Sequence, residues 1–298
     1  MEKKVTLLEI FNSHIDENRR ISSYEHPGTG MINNQMMQDI ANDVAEHLKD
    51  GTLRSDDLHM RVNYNKPESK QGNQKLKGII YIASHPLIDC YLDGLERKKP
   101  SCTGLMGWCY VFSNFFYKSF GKQLSMLANS ILYILEPDRA KQEIQQWIND
   151  NKRRFVRDSH GHIAFRTDES GDITYCLPMW LELAKANEDI NFYAYTKQFA
   201  VLNTVEYCIN TVFPNFRILL SDSTKDDPNP ITQVREDYGS FAVLFKNVEL
   251  TPDRVIAITK LATYKAHKCP GVHMGCFKCT KCSEPETENT KHIVADEH

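Results

Sequence analysis

Four cysteines, Cys269, Cys276, Cys279 and Cys282, fall within the fourteen residues CPGVHMGCFKCTKC, with spacings of x6, x2 and x2. Sulfur donors at this density are costly to hold together unless something binds them. The usual solutions are a metal ion, an iron–sulfur cluster or disulfides. Most zinc sites pair two short knuckles across a loop of a dozen or more residues. An unbroken C-x2-C-x2-C run is closer to the ferredoxin ligand pattern, although here the Cys-Pro pair comes first rather than last. The pattern therefore points to a metal centre on these four cysteines, with a [4Fe-4S] cluster favoured and zinc as the alternative. His267 and His273 flank Cys269 and are substitute ligands of lower priority.

A second set of polar residues follows three apolar runs. These are Ser170-Gly171-Asp172, Tyr195-Thr196-Lys197 and Ser221-Asp222-Ser223, and Asp172, Lys197 and Asp222 are evenly spaced at 25 residues. One βα unit has about this length, and parallel α/β proteins bind ligands at the C-terminal ends of their strands. The reading makes Asp172, Lys197 and Asp222 candidate catalytic residues around a small polar substrate. The plainer alternative is helix N-capping by the aspartates and an ion pair with the lysine. Lys197 follows the aromatic run FYAYT, and desolvation there would lower its pKa toward base or Schiff-base chemistry.

Cys102 and Cys109, in CTGLMGWCYVFSNFFYK, lie among glycines that permit close backbone approach and are candidate cofactor-binding neighbours of the cluster. Buried free thiols are the alternative. Cys90, Cys176 and Cys208 read as core residues, His160 and His162 as turn residues, and the aromatic run ending in Tyr117 and Phe120 as packing.

The elements that must position these groups follow from periodicity. In NNQMMQDIANDVAEHLKDG, Met36, Ile40, Val44 and Leu48 recur at near-helical spacing, and Gly51 is a stop signal. Apolar GIIYIAS (78–84) reads as a buried strand. Helices follow over about 121–135 and from Pro137 onward. From residue 162 strands and helices alternate: HIAFRT, LPMWLELAKAN, INFYAYT, a short helix near 200–210, FRILLSDS, FAVLFKN and the helical opening TPDRVIAITKLA. This alternation predicts an α/β fold with a parallel βα-unit core, open or closed into a partial or complete barrel. The expected division is a helical region with a polar linker over 1–75, an α/β core with its cysteine-rich closing segment over 76–282, and a disordered tail over 283–298. That tail carries five acidic residues against one lysine.

Bulk properties exclude several classes. Across 298 residues, 41% are hydrophobic and 25% charged, which are ordinary globular values. No apolar run is long enough to span a membrane. MEKKVTLLEIFNSHIDENRR does not resemble a secretory signal, so a cytoplasmic location is expected, where cysteines bind metal rather than form disulfides. A net charge of −3 gives no broad basic face for nucleic acid.

Several of these blocks, in order, resemble the phage gene product 88 family. FRTDESGD, then Trp180, then FYAYTK is similar to that family's Ser-Gly-Asp, Trp and Tyr-Thr-Lys blocks. Cys102 to Cys109-Tyr110 with Asn114 is similar to its first cysteine segment, although the family has a third cysteine where this chain has Gly, Met and Trp. Cys269-Pro270 with Cys276, Cys279 and Cys282 resembles its closing element. The resemblance covers about residues 100–282. It implies a phage origin, hence the host cytoplasm, and a cysteine-bound cofactor. The C-x3-C-x2-C loop of radical S-adenosylmethionine enzymes is absent. Two functions follow as expectations: a cluster-dependent enzyme acting on a small polar substrate, or a zinc-stapled module that binds a host or phage macromolecule.

Overall fold

The computed structural model describes residues 4–28, 30–70, 73–88, 111, 115–172, 176–196, 213–222, 239–244, 267–270, 276–284 and 292–296. The chain forms two compact units. The first comprises Met1–Arg61, Ile82–Trp147 and Glu169–Cys176; the second comprises Val62–Tyr81, Ile148–Asp168 and Leu177–His298. The units interleave along the chain rather than following one another, and strand pairing joins the distant segments of the second.

The first unit is helical. Helix α1 (Leu7–Ser13) starts with a capping box between Thr6 and Glu9. Helix α2 (Asn34–Lys49) starts where the Asn33 side chain accepts from the Met36 amide at 2.8 Å, and the chain leaves it through Gly51 at φ +67°. Its buried stripe is Met37, Ile40, Ala41, Val44 and Ala45. The expected stripe is therefore centred one residue later, leaving Met36 and Leu48 half-buried. Helices α3 (Phe120–Leu135) and α4 (Pro137–Asn151) fall where the sequence placed them.

α3 also buries Gln123, Asn129 and Ser130, and each has a partner. Asn129 accepts from the Arg61 amide at 2.7 Å and donates to the Ala83 carbonyl at 2.9 Å. Ser130 accepts from the His85 amide at 2.7 Å. Such pairing offsets the desolvation of buried polar groups. Tyr117 and Phe120 are buried, as the packing interpretation requires.

The second unit contains the sheet. Its strands are β1 (Asn63–Tyr64), β2 (Ile80–Tyr81), β3 (Ile163–Arg166), β4 (Ile190–Thr196), β5 (Phe216–Asp222), β6 (Gly239–Leu244), β7 (His267–Lys268) and β8 (His292–Asp296). Their order is β1-β2-β3-β4-β5-β6-β8-β7. β1 pairs antiparallel with β2, and every other pairing is parallel. The α/β expectation holds. The order is linear, with β1 and β7 at its ends, so the described strands form an open sheet rather than a barrel.

Within the tail, His292–Asp296 forms β8. Acidic composition averaged over sixteen residues hides the local run His292-Ile293-Val294-Ala295, which pairs with both β6 and β7 and buries Ile293.

Register gives the sheet two distinct faces. On one face Phe165, Phe192 and Phe216 align across β3, β4 and β5. Phe165 stacks on Phe192 at 5.2 Å and meets Trp180 edge-on at 5.5 Å. Trp180 belongs to α5 (Leu177–Ala186), so this helix covers the phenylalanine face. On the other face the same register aligns Tyr81, Arg166, Tyr193 and Arg217 across β2 to β5. Because side chains alternate along a strand, Tyr195 shares the face of Tyr193.

Candidate functional site

The tyrosine–arginine face carries the cysteine segment. Lys75, Tyr193, Tyr195, Cys269, Cys276, Cys279 and Cys282 line a single pocket with Pro270, Thr280, Lys281 and Ser283. All four cysteines are free thiols and each is partly buried. Cys276, Phe277, Cys282 and Tyr195 pack on a buried cluster of Leu76, Ile79, Tyr81, Ala164 and Tyr193.

Local geometry brings the cysteines round. Cys276–Cys279 forms one helical turn, α6, closed by a 2.8 Å bond from the Thr280 amide to the Cys276 carbonyl. Thr280 has φ +55°, a left-handed conformation uncommon for a β-branched residue, and it reverses the chain after Cys279. The Thr280 hydroxyl bonds Glu284, and the Ser283 amide donates to the Thr280 carbonyl at 2.9 Å. These bonds tie the reversal down and return Cys282 to the pocket. From β5, Arg217 donates to the Lys281 carbonyl at 2.5 Å. From below, Gly78 lies so close to Phe277 that a Cβ there would sit 2.6 Å from the phenylalanine Cβ.

Electrostatics divides the pocket between like charges and compensating cations. Burial pushes the Cys276 thiol up to about 12, and the nearby Cys282 sulfur adds to the shift. Burial also raises Cys282; a hydrogen bond from Tyr195 and the charges of Arg217 and Lys75 oppose the rise. Cys279 is raised by burial and by Cys269, against a backbone hydrogen bond from Lys281. Near neutral pH the raised thiols hold their protons unless a cation takes their place. Arg166, whose guanidinium lies 4.8 Å over the Tyr195 ring, adds positive charge on the same face.

The Tyr193 hydroxyl is buried without a hydrogen-bond partner, in the pocket it shares with Cys276. A neutral thiol is a poor acceptor for it, whereas an ionised sulfur is a good one. Four thiols, a buried donor in want of an acceptor and three nearby cations suit a tetrathiolate centre. Among the described residues, no group of three or more His, Cys, Asp or Glu side chains stands close enough together to hold a metal ion as placed. The sulfurs share a pocket without closing into a ligand shell.

The other sequence-nominated residues fare differently. Cys102, Cys109 and Lys197, with Cys90, Cys208, His273 and the helices sought near 200–210 and 251–262, lie outside the described residues. Asp222 ends β5, two residues beyond Leu220, the partner of Thr196. Asp172 is buried in the first unit. The even 25-residue interval is not the register of the sheet. Ile163 pairs with Ile190 and Phe192 with Phe216, offsets of 27 and 24, and Asp172 lies beyond the end of β3. Cys176 is a buried free thiol, as expected of a core residue.

Lys75, Arg166, Tyr193, Tyr195 and Arg217 were not singled out from the sequence as neighbours of the cysteines. The alternation in FYAYT places both tyrosines on one face and is the signal that could have found them.

Fold and site define an α/β protein with an open, mostly parallel sheet and a four-cysteine pocket on one face. The chain belongs to the phage gene product 88 family: the family model, described as Gene product 88, matches residues 62–296. That span takes in every strand of the sheet and extends beyond the 100–282 expected at both ends. No curated protein and no solved structure matches the chain. No described helix is long and apolar enough to cross a membrane.

Proposed function

We propose that this protein is a metalloprotein whose centre is held by Cys269, Cys276, Cys279 and Cys282 on the tyrosine–arginine face of its sheet. The observation that carries this reading is the convergence of four free thiols on one pocket whose surroundings supply the charge balance. Four thiolates around a divalent ion or a [4Fe-4S]²⁺ core leave a net charge of −2. Lys75, Arg166 and Arg217 are placed to offset it. The C-x2-C-x2-C spacing favours the iron–sulfur form. With all four ligand positions filled by cysteine, such a cluster would supply electron transfer, whereas zinc in the same pocket would staple the segment to the sheet.

The protein residues have roles independent of which metal is bound. Phe277 and Arg217 anchor the segment, Thr280 turns it, and the buried cluster beneath excludes water from one side. In the enzymatic form of the reading, Asp222 at the end of β5 and Lys197, next in sequence after β4, meet a small polar substrate. Asp172 belongs to the first unit and is the weakest of the three assignments.

Anaerobic purification of the full chain, followed by metal, acid-labile sulfide and visible-absorbance measurements, tests the reading. Iron and sulfide in equal amounts with broad visible absorbance support the cluster. A colourless protein with stoichiometric zinc supports the staple. Serine at any of the four positions should lower metal content severalfold, while Cys176→Ser should leave it unchanged. A chain that binds neither metal, or whose metal survives all four substitutions, overturns the proposal.

A further inference from the structure

Two tyrosines stand with the cysteines on this face of the sheet. Tyr193 and Tyr195 line the pocket together, their rings edge-on at 6.0 Å. Tyr193 is fully buried, and its hydroxyl lacks a full hydrogen bond. A buried hydroxyl left this way has lost its water without recovering a partner, so its position calls for an acceptor. Cys276 and Cys282 line the same pocket. Tyr195 is partly exposed and packs with those two cysteines on the cluster that contains Tyr193. The Arg166 guanidinium lies over the Tyr195 ring and donates through Nε to the Asp168 carbonyl at 2.9 Å, which holds it in place.

Cys276 opens the single turn of α6, and Cys282 follows the Thr280 reversal. These two cysteines pack with Phe277 and Tyr195 on the buried cluster that contains Tyr193. The sheet thus meets both ends of the C-x2-C-x2-C run through this pair of tyrosines.

We infer that Tyr193 and Tyr195 are positioning residues of the thiolate site, offering O–H donors to the sulfurs of Cys276 and Cys282 and so orienting them for a bound metal. This rests on the metal-centre reading above and adds to it a named set of supporting donors. Hydrogen bonds to a coordinated sulfur spread its charge, fix its orientation and tune the centre. The tyrosines do not bind the metal. They act through the cysteines, and the rigid strand β4 fixes their spacing.

Zinc(II) is a suitable probe, because a tetrathiolate set binds it whichever metal the purified protein carries. The full chain, stripped of metal under reducing conditions, is titrated with zinc(II) against a chromophoric chelator across a pH series. Tyr193→Phe, Tyr195→Phe and the double variant should bind zinc(II) about tenfold to a hundredfold more weakly. Their pH of half-release should move upward, since loss of the donor leaves the thiol form favoured. A merely structural role would not produce that pH shift.

Tyr64→Phe, which removes a hydroxyl that accepts from the Val156 amide elsewhere in the same unit, should leave zinc affinity unchanged. Thermal unfolding of each variant identifies any that fails to fold, and if Tyr193→Phe fails, the partly exposed Tyr195 decides the matter. Zinc bound by the wild type with unchanged affinity and release pH in folded tyrosine variants overturns the tyrosine role and leaves the metal centre standing. A wild type that binds no zinc overturns both.

Discussion

Gly78 sits directly against Phe277: a Cβ added to the glycine would lie 2.6 Å from the phenylalanine Cβ and 2.9 Å from a Val156 methyl. Gly78 also has φ +70°, in the left-handed region. Its amide donates to the Asn65 carbonyl at 2.6 Å, which fixes the backbone in that conformation. The glycine is thus a seat for the segment that carries Cys276 and Cys279.

Gly78→Ala should therefore be destabilising on two counts. Left-handed backbone strain costs roughly 1–2 kcal/mol, and overpacking against Phe277 adds about 1–3 kcal/mol. The clash falls on a Cβ rather than on the end of a flexible chain, so Phe277 and its helical turn must shift. Urea unfolding should show the loss, and metal content should fall with it. Gly51→Ala is the control: it shares a positive φ of +67° but has nothing within 4 Å of its added methyl. It should lose only the strain. Equal costs at the two positions would show that Phe277 does not rest on Gly78.

Much of the second unit was legible because its signals are local. INFYAYT has the β-branched and aromatic content of a strand and becomes β4 over its full length. LPMWLELAKA, read as a helix, becomes α5 and buries Trp180. The cysteine spacing pointed to a shared pocket without any structure. Less local features were not legible. Which strand faces which, and with what offset, depends on loop lengths and long-range pairing: Ile163 pairs with Ile190 and Phe192 with Phe216, offsets of 27 and 24 that no even spacing announces. Arg166 and Arg217 stand beside Tyr193 only through that register. Short β8 was hidden by the acidic residues around it, since five residues of pairing suffice to order a segment whose average composition reads as unfolded.

His85 should make the first unit acid-sensitive. It is fully buried, and burial lowers its pKa to about 4, only partly countered by a hydrogen bond with Gln123. Gln123 donates through its amide nitrogen to the Tyr117 carbonyl at 2.7 Å, so its oxygen faces His85 Nε2 at 2.9 Å and must accept. His85 therefore carries its proton on Nε2, and Nδ1 is buried without a partner. A second proton on Nδ1 would place an unpaired charge in the interior.

The sign follows from the lowered pKa. Above about pH 6.5 the histidine is neutral in both folded and unfolded states, and the full stability is present. Between about 6.5 and 4 the unfolded chain takes up a proton that the folded chain refuses, so stability falls as pH falls, by roughly 3 kcal/mol over the whole window. His85→Gln keeps a donor toward Gln123 and does not titrate. Urea unfolding at about pH 7.5 and about pH 4.5 should show a smaller acid loss in the variant than in the wild type. Parallel losses would mean that other groups carry the acid sensitivity.

Lys122 and Glu169 should couple more strongly than a surface pair. Their N–O separation is 2.6 Å, with side-chain exposures of 12% and 1%. At this burial the interaction is weakly screened by solvent, and desolvation has already been incurred by both groups. Glu169 also occupies a constrained stretch of backbone. Its amide donates to the Ile82 carbonyl at 2.6 Å, and the next residue, Ser170, exchanges hydrogen bonds with Ser84. The carboxylate therefore cannot swing to water without breaking those bonds. Lys122→Met keeps the aliphatic stem and removes the charge, with the ammonium that lies 5.3 Å over the Tyr117 ring. It strands Glu169 and should cost about 3–5 kcal/mol in urea unfolding. Removing the stranded charge as well, in Lys122→Met with Glu169→Leu, should recover most of that loss, because replacing both members of a buried pair with apolar groups is often close to neutral. The double-mutant cycle separates the two cases. A single variant no worse than the double would mean that Glu169 finds another cation or water, and that the ion pair does not hold Glu169 to α3.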